Sequence, residues 1–310
     1  MKKLSIIIPI YFNELSINKT YHVLKKDVLD KLPNLGFDYE IICIDDGSKD
    51  RSFEILKELK SKNDKIKIIK LSRNFGSINA SLAGIYKSSG DCLSLLSADL
   101  QDPPAIIIEM LGKWQEGYKT CIASRESRHD PIISKFFSNL FYKIFRKIAL
   151  KDMPSGGFDL FLIDRQVIDL IKNSNEKNSS FNGQIIWSGF KTFEIKYTRQ
   201  KREDGKSRWT FAKKFKYFID YIVAFSYTPI RFVSIFGIFI SFCSFIYLAV
   251  IIYNYFNNNI EIRGWASIFS LILFTSGVQM ASIGIIGEYI WRSLDQTRNR
   301  PNYIIDEIIE

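Results

Sequence analysis

The segment Ser97-Ala98-Asp99-Leu100-Gln101-Asp102 ends an apolar run with two carboxylates three residues apart, and Pro103-Pro104 follow. Such a cluster can form the floor of an active site, because magnesium is held through one or two carboxylates, with substrate phosphates and water completing its shell. It can equally be a turn-and-cap device, since proline suits the first turn of a helix. A second acidic pair, Asp45-Asp46 before Gly47-Ser48, has the same two readings. It can cap a helix through an Asx turn, or a carboxylate there can accept a hydrogen bond from a nucleobase N–H. His22 and His129 are the two histidines and lie far apart, which argues against a His-based triad or a His-rich metal site. Catalysis would then rest on carboxylates, arginines and a hard cation. The four cysteines, Cys43, Cys92, Cys121 and Cys243, are isolated and fit reduced, buried thiols. Asp204-Gly205-Lys206-Ser207 imitates the end of a phosphate-binding loop, but Gln200 stands where the leading glycine should be.

Elements must carry these clusters. Residues 4–10, 39–44, 66–71, 92–97 and 120–124 read as strands rich in Ile and Leu. Helical spacing occupies 16–32, 52–62, 78–88 and 104–116. Strand and helix alternating in this way predict a parallel sheet covered on both faces, with ligands outside the carboxyl ends of its strands. Three polar clusters fall at such ends: residues 9–14, 45–50 and 97–102. Further along, the spacing predicts a helix over 132–150, a Gly-rich turn into a strand and helix over 153–167, and a polar loop over 173–180.

The 310 residues are 46% hydrophobic and 25% charged, but the charges are unevenly spread. Residues 232–256 and 265–287 carry none. As helices they would reach about 37 and 34 Å, enough for a hydrocarbon core of about 30 Å. Lys213, Lys214, Lys216 and Arg231 precede the first stretch, and Arg292, Arg298 and Arg300 follow the second. The positive-inside rule then puts both termini in the cytoplasm of a multi-pass protein of the cytoplasmic membrane. Residues 210–229 interleave lysines with aromatics like an amphipathic helix lying at the bilayer surface. The net charge of +10 suits anionic partners, lipid headgroups or phosphorylated ligands rather than nucleic acid.

The stretches IIIPIYFNE, IICIDDGSKDRS, LSRNFG and SADLQDPP together resemble the inverting family 2 glycosyltransferases with a GT-A fold. MPSGGFDLFLIDRQV, KREDGKSRW and the two apolar segments are similar to the polyprenyl-phosphate branch, which holds dolichyl-phosphate mannosyltransferase and the bacterial bactoprenol glucosyltransferases. The likeness runs over nearly the whole chain. It implies an α/β architecture: a GT-A (Rossmann-like, mostly parallel sheet) catalytic domain over 1–209, an interfacial amphipathic helix over 210–229, a two-helix transmembrane hairpin within 230–292 and a cytoplasmic tail over 293–310. It also implies a nucleotide-diphosphate sugar donor, a polyprenyl phosphate acceptor such as undecaprenyl phosphate, and Mg2+ or Mn2+ between the donor's phosphates. By matching positions, Pro9, Tyr11, Glu14 and Asp46 line the nucleotide pocket with Ser97 and Ala98, and Asp99 and Gln101 hold the metal. Arg125 matches the acceptor-phosphate arginine, with Lys135 and Ser138 nearby in sequence. Arg202 and Arg208 match the basic pair over the donor phosphates, and Asp159 the proposed catalytic carboxylate. Asp102 is the expected N-cap of the helix at Pro103-Pro104, because proline suits the first turn. One departure stands out: the family's usual Asp-Ala-Asp is Ser97-Ala98-Asp99 here, which removes one negative charge from the metal site.

UDP-glucose is the first expectation for the donor, with GDP-mannose or another UDP-sugar as alternatives. A processive polysaccharide synthase is a further reading, but Gly205 replaces the glutamine of that group's Gln-x-x-Arg-Trp motif. A non-catalytic membrane scaffold is the third, and Ser97 is the feature that favours it. Gln279, Ser276 and Ser282 within the spans suggest self-association through the hairpins.

Overall fold

The computed structural model describes residues 1–127, 143, 145–154, 157–174, 176–177, 180–198, 219–220, 222–256 and 264–310. Lys135, Ser138, Arg202 and Arg208 lie outside the described residues, as do most of 132–150 and 210–218. The chain divides into two compact units, one of Met1–Tyr221 with Pro301–Glu310 and one of Ile222–Arg300.

In the first unit the strands are β1 (Lys2–Ile10), β2 (Phe37–Asp45), β3 (Ile66–Leu71), β4 (Cys92–Leu95), β5 (Thr120–Ser127), β6 (Phe158–Asp164), β7 (Thr192–Thr198) and β8 (Ile305–Ile309). They form one sheet in the order β7-β5-β6-β4-β1-β2-β3-β8. The centre is parallel, β4, β1, β2 and β3 side by side. β6 runs antiparallel between β4 and β5, β8 antiparallel along β3, and β7 parallel to β5. The sheet is therefore mixed where the sequence pattern led to a parallel one.

The helices of this unit are α1 (Ile17–Leu24), α2 (Ser52–Lys60), α3 (Ser77–Lys87), α4 (Ile106–Gln115), α5 (Arg165–Ser174) and α6 (Phe181–Trp187). The single helix expected over 16–32 is shorter, passing into a π-turn at Lys25–Leu29 and a 3-10 turn begun by Pro33. Because successive strand residues face opposite ways, β1 splits its isoleucines between two layers. Leu4, Ile6 and Ile8 pack with Ile41, Leu24, Leu56 and Trp114 in one continuous core. On the other face α3 comes so close that a Cβ on Gly84 would lie 2.7 Å from both Ile7 Cγ2 and Ile44 Cδ1. Burying each such isoleucine stabilises the unit by about 1.5–3 kcal/mol. α5 follows β6 without a loop, and the Asp164 carboxylate accepts the Gln166 N–H at 3.0 Å there. Cys43, Cys92 and Cys121 are buried free thiols, whereas Cys243 in the second unit is exposed.

The last residues are not a tail. β8 closes the sheet edge, with Ile309 opposite Ile68 and Ile308 opposite Ile69. Its acids answer the lysines of β3: Asp306 to Lys70 at 3.2 Å and Glu310 to Lys67 at 3.1 Å. Ile304, Ile305, Ile308 and Ile309 are a short Ile-rich strand signal, and the edge of β3 gives it a partner.

The second unit holds α7 (Thr228–Phe256) and α8 (Trp265–Thr297). They contain segments long and apolar enough to cross a membrane, Thr228–Tyr247 and Ser267–Thr297. Large apolar side chains such as Phe239, Phe242, Phe245, Leu271 and Phe274 are exposed on them. The hydroxyls of Ser234, Ser244, Thr275 and Ser282 donate to carbonyls one turn back, which satisfies them without water.

Candidate active site

β1, β2 and β4 all end at one edge, and the chain reverses its order of growth between β1 and β4, the switch point where open α/β sheets bind ligands. Pairing of β1 with β4 stops at Ile7 and Leu95, extended by one hydrogen bond from Leu96 N to Ile7 O at 2.9 Å. Pro9, half-buried, lies two residues on, where the ladder no longer needs its missing N–H. β1 and β4 part there while β1 and β2 stay paired to Ile10 and Asp45, and the three polar clusters follow the ends of these strands.

The first two clusters hold each other. The Tyr11 N–H donates to Asn13 Oδ1 at 3.0 Å, Phe12 N–H to Ser48 Oγ at 3.0 Å, and Asn13 N–H to Ser52 Oγ at 2.9 Å. Glu14 accepts the Arg51 N–H at 3.0 Å, so its carboxylate ties the β1 loop to the start of α2. Asp45 supplies the Asx turn, accepting Ser48 N–H at 3.2 Å, and burial pushes its carboxyl up. Asp46 has another task. It is 2% exposed and accepts Phe75 N–H at 2.7 Å, Gly76 N–H at 2.9 Å and Asn74 Nδ2 at 3.0 Å. Burial pushes its carboxyl up, while those two amides oppose the shift. Gly47 makes the approach feasible: it has φ +70°, and a Cβ would sit 2.6 Å from the Arg73 carbonyl carbon. Asp46, expected in the nucleotide pocket, has its oxygens on donors of Asn74, Phe75 and Gly76.

In the third cluster the Thr20 hydroxyl of α1 donates to the carbonyl of Ala98, which is buried, at 2.9 Å. Asp99 Oδ1 accepts the Gln101 N–H at 3.2 Å, across Leu100 with its φ of +55°. Ser97, Asp99 and Gln101 are half-buried and follow the end of β4. Asp102 is not the N-cap expected of it. α4 begins only at Ile106 with no side-chain cap. The Asp102 carboxylate, 1% exposed, instead accepts the Ser97 hydroxyl at 3.2 Å and the Tyr197 hydroxyl of β7. A phenol 95 residues away thus overrides the local capping preference.

Among the described residues no three His, Cys, Asp or Glu converge as a preformed metal cage. One carboxylate and one amide, Asp99 and Gln101, suit a cation whose remaining ligands come from a bound diphosphate and water.

β5 and β6 complete the edge. Because β6 is antiparallel, its first residues share the edge where β5 ends, and Phe158 pairs with Ser124. Arg125 and Asp159 thereby meet in an ion pair, Arg125 9% exposed and Asp159 54%. Tyr197 stands opposite Arg125 in the β5–β7 register. Burial and the Asp102 carboxylate push its phenol well up, with the Arg125 guanidinium opposing. Ser97, Asp102, Tyr197, Arg125 and Asp159 are therefore linked in turn, each to the next. Neither Tyr197 nor this use of Asp102 was anticipated. The alternation Phe193, Ile195, Tyr197 was the available signal for a strand there.

The glycosyl transferase family 2 model matches residues 5–171. The uncharacterized glycosyltransferase YkcC of Bacillus subtilis is 37% identical over 304 residues, which is 98% of this chain and 93% of that protein. The SfII prophage-derived bactoprenol glucosyl transferase of Shigella flexneri is 32% identical over 304 residues, 98% of this chain and 97% of that one. Among solved structures, glucosyl-3-phosphoglycerate synthase from Mycobacterium tuberculosis aligns at 13% identity with a TM-score of 0.48, over 71% of this chain and 79% of that one.

Proposed function

The chain belongs to glycosyl transferase family 2, and on that premise we propose that it transfers a single sugar, with inversion, from a nucleotide-diphosphate sugar to a polyprenyl phosphate at the cytoplasmic face of a membrane. UDP-glucose and undecaprenyl phosphate are the first candidates. The observation that carries the proposal is the likeness to a bactoprenol glucosyl transferase along 98% of this chain. The mixed, GT-A-like sheet and the ion pair of Arg125 with Asp159 on the edge that carries Asp99 support it.

In this reading a phosphate oxygen of the acceptor attacks the anomeric carbon from the face opposite the leaving group. The bond from that carbon to the donor's diphosphate breaks, and the nucleotide diphosphate leaves with the electron pair. A phosphate monoester has a second pKa of about 6, so at neutral pH little proton removal is needed. Positioning is the larger task. The Arg125 guanidinium can take two phosphate oxygens in its planar fork, and Asp159 orients from the same side. Asp99 and Gln101 would hold Mg2+ or Mn2+, which when bound neutralises charge on the departing diphosphate. Arg202 and Arg208 are proposed to act on the same charge.

The connectivity supports a membrane hairpin with both ends on one side. The chain leaves the sheet unit before Ile222 and re-enters it at Pro301, which supports a hairpin that returns to the side it left. The spans would contact lipid, and self-association through them is part of the same proposal.

The test is a panel of labelled UDP- and GDP-sugars incubated with the full chain, undecaprenyl phosphate, and Mg2+ or Mn2+. One lipid-linked monosaccharide from UDP-glucose is the expected product. Another donor would reassign the sugar, long polydisperse chains would support a processive synthase, and donor binding without turnover would support a scaffold.

A further inference from the structure

Tyr197 touches both Arg125 and the buried Asp102 carboxylate, while the ion-pair partner of Arg125 is a carboxylate of opposite character, Asp159. Asp102 is buried at 1% exposure behind the β4 loop, whereas Asp159 is 54% exposed on the open side. A guanidinium offered both would favour the buried one, where low dielectric strengthens the attraction and water does not compete. A group drawn that way would be lost to an incoming phosphate. The Tyr197 hydroxyl occupies the contact with Asp102, donating to its Oδ1, and Tyr197 is paired in register with Arg125. Ser97 fills the other oxygen of Asp102. Arg125 Nε, also buried, has no hydrogen-bond partner among the described residues, so the guanidinium keeps donor capacity in hand.

We propose that Tyr197 is a positioning residue that shields Arg125 from the buried Asp102 carboxylate, so that Arg125 rests on the exposed Asp159 and can exchange it for a phosphate of the acceptor. The proposal rests on reading Arg125 as the group that meets the acceptor's phosphate. Exchange is favourable because the Asp159 carboxylate is half open to water, whereas a phosphate dianion brings more charge and three acceptor oxygens.

The experiment measures binding of farnesyl phosphate, a short polyprenyl phosphate, to the full chain in detergent by calorimetry with UDP and Mn2+ present. Melting temperature and UDP affinity are followed alongside. Tyr197→Phe should weaken farnesyl phosphate about tenfold and change UDP affinity less than about twofold. Adding Asp102→Asn to Tyr197→Phe should restore most of the loss, because the competing charge is gone; a merely structural hydroxyl would give a double variant worse than either. Asp159→Asn should bind farnesyl phosphate about two- to fivefold more tightly, the size expected of a pair whose carboxylate is half open to water. Unchanged binding in Tyr197→Phe, or no rescue in the double variant, overturns the shielding role. Equal or weaker binding in Asp159→Asn overturns the exchange, and does so even if the Tyr197 variants fail to fold. A parent chain that binds UDP but no farnesyl phosphate would overturn the assignment of Arg125 itself.

Discussion

Replacing Asp46 by asparagine separates two jobs that a carboxylate at this edge could have. In the structure its oxygens accept Phe75 N–H, Gly76 N–H and Asn74 Nδ2 between 2.7 and 3.0 Å. Asparagine keeps one acceptor oxygen, which can stay on Phe75. Its NH2 then faces the Gly76 and Asn74 donors, so two hydrogen bonds to a charged acceptor are lost. Each is worth about 1.5–3 kcal/mol. Phe75 and Gly76 are half-buried, and water replaces part of the loss, which favours the low end. The expected cost of Asp46→Asn is about 3 kcal/mol, or a fall in melting temperature of about 6–12 °C for a domain of this size. Thermal unfolding of the full chain in detergent reads that directly, with UDP titration in parallel. The clamp predicts that stability falls first and that UDP affinity falls with it as the 73–76 loop loosens. A variant that melts within about 2 °C of the parent yet loses UDP binding would refute the clamp and return Asp46 to the base.

Three further outcomes follow from other contacts. Glu40 is buried, which would push its carboxyl up, but the Ser5 and Ser89 hydroxyls, the Ser89 amide and Lys3 outweigh that and leave it below its ordinary 4.5. Its contribution to stability is therefore complete above about pH 4.5 and lost as pH falls through the lower folded value. Chemical denaturation should show Glu40→Gln costing much more at pH 7 than at pH 3, and an equal cost at both would count against it. At the sheet edge, Asp306→Lys with Glu310→Lys sets like charges against Lys70 and Lys67. Amide exchange over 305–309 should quicken about tenfold, since two exposed pairs contribute about 0.2–1 kcal/mol each and the reversal adds repulsion. Unaltered exchange would mean that the ladder alone holds β8. Finally, Ser97→Asp places a second carboxylate against Asp102, where Ser97 now donates at 3.2 Å. Without donor, Mn2+ should raise the melting temperature of this variant more than that of the parent; an equal rise would exclude Asp99 and its neighbours as the cation site.

The residues themselves determined much of this. Ile-rich runs broken by turn chemistry are local signals, so β1 to β5, α2, α3 and α4 were legible within a few residues. The order of those elements already put the clusters at 9–14, 45–50 and 97–102 on one edge. Two charge-free stretches were legible as helices long and apolar enough to cross a membrane because length and composition are properties of the chain alone. Tertiary structure decided what each polar side chain is bonded to. Asp102 reads as a cap until Tyr197 arrives from β7, and Asp46 as an open acceptor until the 74–76 amides close on it. Asp159 lies 34 residues from Arg125, and only the antiparallel insertion of β6 brings the two together. β8 is Ile-rich but short and acidic, and its place beside β3 is fixed by the tertiary pairing with that strand and its lysines. A backbone period is set by neighbours in sequence, but a hydrogen-bonding group takes whichever partner folding delivers, and burial then makes that choice costly to undo.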